Sequence, residues 1–334
     1  MTSPVSVIIP VKNAEQTLRG CLDALFRAEG AERDVIIVDD GCDDDSLRIA
    51  ASFPCRIIKN ERKGVSAARN TGAKASTGEI LFFMDSDIIV PSDVFHVLSG
   101  YFADRTVDGI TGLLGPGIRF DNFASKFKNL WMHYTYVRLT DFVSLFYTSA
   151  AAIRRGVFEK MGGFNEDFHR PNVEDTEFGR RLVAAGFRIR LARDLQVEHR
   201  KYYDCRGVLR TDFARSSGLV KVVLAGRGMD GRVNSTSVPS LFIASIPFFI
   251  LSLLSLIASL FLGWKWVIAA GILFMVFLLA NLPLLRFFRQ KEGSRFALKS
   301  LLFLVPDILS VTGGIIHGFS RHLFAEKREN VREK

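Results

Sequence analysis

The sequence predicts an α/β fold, a mostly parallel sheet with helices on both faces, followed by α-helical transmembrane segments. Three observations carry this. Short β-branched runs alternate with stretches of helical apolar spacing from Val5 to Met84, the pattern of strands buried under crossover helices. Three of those runs end in small polar or acidic turns. Two later stretches, Val238–Leu262 and Val267–Leu285, contain no charged residue, and each is long enough to cross a hydrocarbon core of ~30 Å as a helix of ~20 residues.

In order, VSVIIP (5–10) reads as a buried strand ended by proline, and Asn13 with Gln16 three residues on reads as the cap of the helix carrying Leu18, Cys21, Leu22, Leu25 and Phe26. DVIIVDDG (34–41) is a second strand running into an acidic turn. A short helix near Asp45–Ser52, a strand near Arg56–Lys59 and a helix over 64–76 capped by Ser66 follow. EILFFM (79–84) is a further strand and delivers Asp85 and Asp87. Further on, Phe178, Leu182 and Val183 give one apolar face to a helix that begins at Glu174 and Asp175 and ends at Gly186, and a strand is expected before His199. Ile118–Phe142 is rich in aromatic and basic residues and reads equally as a border of an acceptor path or a cover for the sheet.

Ligands of such sheets bind beyond the carboxyl ends of the strands, so Pro10–Asn13, Asp39–Gly41 and Asp85–Asp87 are expected at one edge. Carboxylates two apart on an extended segment point the same way and repel unless a cation sits with them. Mg²⁺ or Mn²⁺ shared with substrate phosphates suits the pair, and His199 is a further candidate metal ligand. A solvated acidic turn is the plainer account of the same tripeptide. Arg69 suits a phosphate. Glu174 and Asp175 suit either helix capping or a general base.

The blocks VSVIIPVKNAEQTLRGCLDAL, VIIVDDGCDDDS, KGVSAARNTGAKASTGEILFFMDSD, GGFNEDF and VEDTEFGRRLVAAG stand in this order. Together they resemble a family 2 glycosyltransferase of the GT-A fold, over roughly residues 4–200. The resemblance implies a nucleotide-diphosphosugar donor, inversion at the anomeric carbon and a divalent metal, Mg²⁺ or Mn²⁺. It implies that Pro10, Val11, Asn13, Asp40, Arg69 and Asp85 bind the donor, with Asp40 at the base and Arg69 near the diphosphate. It implies Asp85, Asp87 and His199 at the metal, and Asp175 as the catalytic base with Glu174 beside it. Cys42 stands where serine is usual in the family. The Gln/Arg-x-x-Arg-Trp run of its processive synthases is missing from the sequence, which disfavours a polymer-extruding enzyme.

The expected organisation is a GT-A domain over 1–204, a basic interfacial linker over 205–237, a membrane region over 238–320 and a charged tail over 321–334. Within the membrane region, helices over 238–262 and 267–285 form a hairpin around Trp264 and Trp266. A third run, 300–320, is open to spanning, re-entrant or interfacial placement because basic residues flank both of its ends. The net charge of +9 reflects basic residues near the apolar segments, Arg206, Arg210, Arg215 and Lys221 among them, where anionic lipid attracts them. There is no nucleic-acid motif. Four cysteines without C-x-x-C spacing suit a reducing compartment. The opening MTSPVSVIIP lacks the pattern of a signal peptide. An integral membrane protein with its catalytic domain on the cytoplasmic face is therefore expected. It would move one sugar to a lipid-linked or membrane-proximal acceptor. A GT-A-like nucleotidyltransferase acting on sugar phosphates is the alternative.

Overall fold

The structure is a computed structural model that describes residues 4–30, 33–168, 172–224 and 238–332, with side chains to Leu323. Part of the expected linker, 225–237, and the last two residues of the expected tail lie outside what is described, as do the tail's side chains beyond Leu323. The described chain divides into two compact units. The first takes residues up to Asp121, Tyr136–Tyr202 and the segment from Gly218. The second takes Asn122–Thr135, Tyr203–Ser217 and the C-terminal helices. Each compact unit draws on more than one stretch of chain.

The first unit is built on β1 (Val5–Val11), β2 (Arg33–Asp39), β3 (Arg56–Lys59), β4 (Ile80–Met84), β5 (Ile88–Ile89), β6 (Gly109–Leu114), β7 (Phe142–Val143), β8 (Ala150–Arg154) and β9 (Ile189–His199). The sheet runs β3-β2-β1-β4-β8-β6-β9-β5, with β7 against β9. β1 to β4 are mutually parallel, and β6 is parallel to β9. β8 runs against both β4 and β6. β4 is buried from end to end and β1 at every position but Pro10, which is why they read as near-continuous apolar runs rather than alternating ones.

Helices α1 (Leu18–Arg27), α2 (Ser46–Ala50), α3 (Val65–Ala75), α4 (Val94–Ala103), α6 (Arg155–Lys160) and α7 (Glu174–Ala184) belong to this unit. Two expected caps are corrected. α1 begins after Thr17, and Asn13 instead takes a left-handed conformation, φ 51°, with its Oδ1 accepting the Asp43 N–H at 3.0 Å. α3 begins after Gly64, whose φ of 120° strains any side chain, and Ser66 is buried inside the helix with no cap bond.

The second unit contains α5 (Phe123–Tyr136, through Thr135), the first part of α8 (Cys205–Leu224), α9 (Ser240–Leu262), α10 (Lys265–Glu292) and α11 (Ser294–Arg332). α9, α10 and Ser294–Leu323 of α11 are each long and apolar enough to cross a membrane. The third run is therefore part of one unbroken helix. It continues through Pro306, Gly313 and Gly314, because a proline inside a long apolar helix is tolerated where neighbours re-satisfy the backbone. Asn281 of α10 donates to Ser245 Oγ of α9 at 2.9 Å, and Ser252 donates to the Ala270 carbonyl at 2.9 Å. Small polar residues thus join the hairpin from inside. α5 packs its rings within this unit. Phe127 meets Phe288 and Phe303 at 5.5 and 5.0 Å, and Trp131 meets Phe242 at 4.6 Å. Its aromatic residues form a packing face for the apolar helices.

Candidate active site

β1, β2 and β4 end at the same edge. Asp40 N–H donates to the Val11 carbonyl at 2.9 Å, which joins the turns after Pro10–Val11 and Asp39–Gly41. Asp39 Oδ1 closes its own turn by accepting the N–H groups of Gly41 and Cys42 at 2.9 and 2.8 Å. Burial works against its charge, but those donors prevail and hold its carboxyl below the usual range. The Cys42 thiol is pushed up to about 11 by burial and by neighbouring carboxylates.

Asp40 is buried. Its Oδ1 accepts Asn60 Nδ2 at 2.6 Å and the Gly64 N–H at 2.9 Å. Asn60 also donates its backbone N–H to the Asp39 carbonyl at 2.8 Å and accepts from Thr71 Oγ1 at 3.3 Å. Asp40 lines a cavity of about 590 Å³ with Lys12, Arg62, Lys63, Gly64, Ala67, Glu166 and Asp167. Three carboxylates, Asp40, Glu166 and Asp167, and three basic residues, Lys12, Arg62 and Lys63, line it, with Arg62 paired to Glu166 at 2.8 Å, a mixed-charge lining that suits a nucleoside bearing phosphates.

Arg69, one turn into α3, is 2% exposed. Its Nη1 donates to Glu174 Oε1 at 2.9 Å and its Nη2 to Asp85 Oδ1 at 3.0 Å. Burial opposes its charge, and the two carboxylates more than offset that, raising its pKa. Asp85 Oδ2 accepts Ser149 Oγ at 2.6 Å. Both oxygens of Asp85 are therefore bonded to protein. Glu174 is bonded likewise, since its Oε2 accepts the Asn172 N–H at 2.7 Å.

The expected common orientation of Asp85 and Asp87 is corrected. Residues 85–87 form a turn between β4 and β5, so the alternation of an extended strand does not apply. Asp87 faces β9, where its Oδ2 lies 3.2 Å from His199 Nε2. Burial alone would raise its pKa, but His199 and Lys201 hold it below the usual range. Asp87 Oδ1 is buried and has no hydrogen-bond partner. No group of three His, Cys, Asp or Glu able to hold a metal occurs among the described residues. The pair that is present, one carboxylate with an open oxygen and one imidazole, fits a divalent ion that completes its shell with substrate oxygens and water.

α7 brings the remaining acids. Gly179 lets it lie against the backbone of 144–146, where a Cβ would fall 2.6 Å from the Ser144 carbonyl. Asp175 is buried, and its Oδ1 accepts the Thr176 N–H at 2.6 Å and Thr176 Oγ1 at 3.2 Å. The structure thus joins Arg69, Asp85 and Glu174 in one cluster, Asp87 and His199 in a second, and Asp40 with Asn60 in a third. Lys12, Asn60, Arg62, Lys63 and Ser149 were not picked out from the sequence. Lys12 and Lys63 stand inside quoted motif blocks, and the other three are ordinary polar residues without a local pattern.

Residues 6–162 match the family model described as Glycosyl transferase family 2, and this part of the chain is a domain of that family. A pre-mycofactocin glycosyltransferase of Mycobacterium tuberculosis is 30% identical over 64% of this chain and 45% of its own length. The O-antigen chain rhamnosyltransferase RfbN of Salmonella typhimurium is 24% identical over 78% of this chain and 88% of its own. The mannosyltransferase PcManGT of Pyrobaculum calidifontis, solved with GDP-Man and Mn2+, superposes with a TM-score of 0.58 at 22% identity, over 91% of this chain and 86% of that one. This likeness shows the GT-A fold. The chain spans less than half the length of the first curated relatives it matches.

Proposed function

We propose that this family 2 glycosyltransferase domain moves one sugar, with inversion, from a nucleotide-diphosphosugar to a lipid-linked or membrane-proximal acceptor, with a divalent ion at Asp87 and His199. The observation that carries the reading is the Arg69 bridge. It ties Asp85, at the end of β4, to Glu174, beside Asp175 on α7. A donor site and a candidate base, far apart in sequence, are held by one buried cation. The glycosyltransferase names of the relatives support the reaction class, and the GDP-Man and Mn2+ of the mannosyltransferase support a nucleotide sugar and a metal. Three apolar helices support membrane attachment, with the catalytic unit on the cytoplasmic face, where nucleotide sugars are at hand.

In this mechanism Asp40 receives the nucleoside in the cavity lined by Lys12, Arg62 and Lys63. Asp85, fixed by Arg69 and Ser149, borders the ribose. Bound at Asp87 and His199, a divalent ion supplies Lewis-acid stabilisation of charge on the departing diphosphate. Asp175 takes the proton of the acceptor hydroxyl as that oxygen attacks the anomeric carbon from the face opposite the leaving group. Glu174 does not take that proton, since both its oxygens are occupied; it holds Arg69. The test is nucleoside diphosphate release by the full chain in detergent, with Mn²⁺ or Mg²⁺, across a panel of nucleotide sugars and with membrane lipid as acceptor. Release from one donor that Asp175→Asn lowers by ~10²–10⁴-fold is the expected result. Release of pyrophosphate from a nucleoside triphosphate and a sugar phosphate would replace this reading with nucleotidyl transfer.

A further inference from the structure

Two arginines are buried to the same degree in the described structure, and they are treated differently. Arg69, 2% exposed, carries two carboxylates. Arg180 of α7, 4% exposed, carries none, and its Nε and Nη1 are buried without a hydrogen-bond partner. The next residue, Arg181, bonds Glu177 and the Met161 and Gly163 carbonyls. A guanidinium does not give up its proton in a protein, and an unpaired buried charge is costly. Burial alone pulls the Arg180 pKa down. The α7 positions around it explain no such cost, because the acids of the helix are committed elsewhere. Glu174 is held by Arg69, Glu177 by Arg181, and Asp175 Oδ1 by Thr176.

The location gives the charge a use. Thr176 is the i−4 neighbour of Arg180, and long helical side chains lean toward the N-terminus of their helix. Thr176 Oγ1 in turn donates to Asp175 Oδ1 at 3.2 Å. By that helical geometry Arg180 is expected over the turn that carries the base, and it is not among the residues that line the donor cavity. We propose that Arg180 is a specificity residue for the acceptor, pairing with an acidic group, a phosphate or phosphate ester, that the acceptor carries close to its reacting oxygen. This rests on the glycosyl-transfer reading. It adds that the acceptor is an anion and names the side chain that recognises it.

The probes are a long-chain alkyl phosphate, the matching alkyl alcohol and inorganic phosphate, titrated into the full chain in detergent. Nucleotide-sugar binding is measured on the same samples. Wild type is expected to bind the alkyl phosphate, and Arg180→Gln to bind it roughly 10–100-fold more weakly, the loss of one charged hydrogen-bonding partner. Arg180→Lys is expected to retain part of the affinity. The alcohol should not distinguish the variants, and donor binding should be unchanged in all of them. Arg180→Leu is expected to raise the unfolding midpoint while losing phosphate affinity, a combination that a purely structural arginine does not give. Inorganic phosphate binding as well as the alkyl ester supports a site for the bare anion, and binding of the ester alone supports a lipid source. Equal alkyl phosphate affinity in wild type and Arg180→Gln, or no binding in wild type, overturns the inference. A chain that binds phosphate through Arg180 but no nucleotide sugar would keep the anion site and remove the reaction assigned to it.

Discussion

Arg69→Met separates the strength of the buried bridge from its use. Glu174 is only 4% exposed at the side chain, so removing its cation leaves a carboxylate in the interior with one backbone N–H for company. Breaking a buried pair in this way costs about 3–5 kcal/mol. Asp85, 32% exposed, keeps Ser149 and water and contributes less. For a unit of this size 1 kcal/mol moves the midpoint by ~2–4 °C, so the single variant should melt roughly 6–20 °C early. Replacing Glu174 by Met as well removes the stranded charge. What remains is the unmet Asn172 N–H, about 1–3 kcal/mol. The double variant should therefore be more stable than Arg69→Met alone. Intrinsic fluorescence is the wrong probe, because Trp131, Trp264 and Trp266 all belong to the second unit. Pulse labelling of Cys21, fully buried in α1, reads the catalytic unit directly. If the two losses simply add, the bridge is not a coupled pair and its assigned role fails.

Other expectations follow from the same geometry. Asp87→Asn should weaken Mn²⁺ binding, followed by electron paramagnetic resonance, far more than Asp85→Asn, since only Asp87 has an open oxygen beside an imidazole; equal losses would restore Asp85 to the metal. Asn60→Ala leaves Asp40 Oδ1 with the Gly64 N–H alone and should raise the donor KM by roughly 5–10-fold with a smaller change in kcat, whereas a pure kcat loss would contradict a positioning role. Iodoacetamide at pH 8 should modify exposed Cys205 first and leave Cys42, a thiol with its pKa near 11, largely untouched, as peptide mass mapping will show. Asp39 has a depressed native pKa, so its contribution is present above the unfolded carboxylate value of about 3.9 and is lost as pH falls through the lower native one. Asp39→Asn should flatten the acid limb of a stability profile below pH 4, and an unchanged limb would place the acid sensitivity elsewhere.

The first half of the sheet was legible because β1, β2 and β4 are parallel strands whose burial on both faces writes itself as near-continuous apolar sequence, while β3 is a largely exposed edge strand read from Ile57 and Ile58 between two basic residues. β6 and β8 were not legible. Gly109–Leu114 contains two glycines and a threonine, and Ala150–Arg154 is mostly alanine. Glycine and alanine there permit close packing and dilute the β-branched signal of Ile110, Thr111 and Ile153. The acidic turns were found at their expected edge, since a carboxylate ending a buried strand is conspicuous. The pairing of Arg69 with Glu174 was not, because nothing local connects residues 105 apart, and Asp87 and His199, 112 apart, came together only as expected ligands of one metal. The turn geometry that parts Asp85 from Asp87 was hidden for a different reason, since an aspartate after an apolar run reads the same whether the strand continues or bends.

α5 leaves the sheet between β6 and β7 and spends its aromatic face on Phe242, Phe288 and Phe303. A tail that merely tethers an enzyme can be exchanged for another. Here one wall of the anchor is encoded inside the gene segment for the catalyst, so exchanging the last hundred residues for an unrelated hydrophobic hairpin would leave a greasy helix with nothing to sit against. A chimera is expected to fold only where α5 travels with the helices it meets.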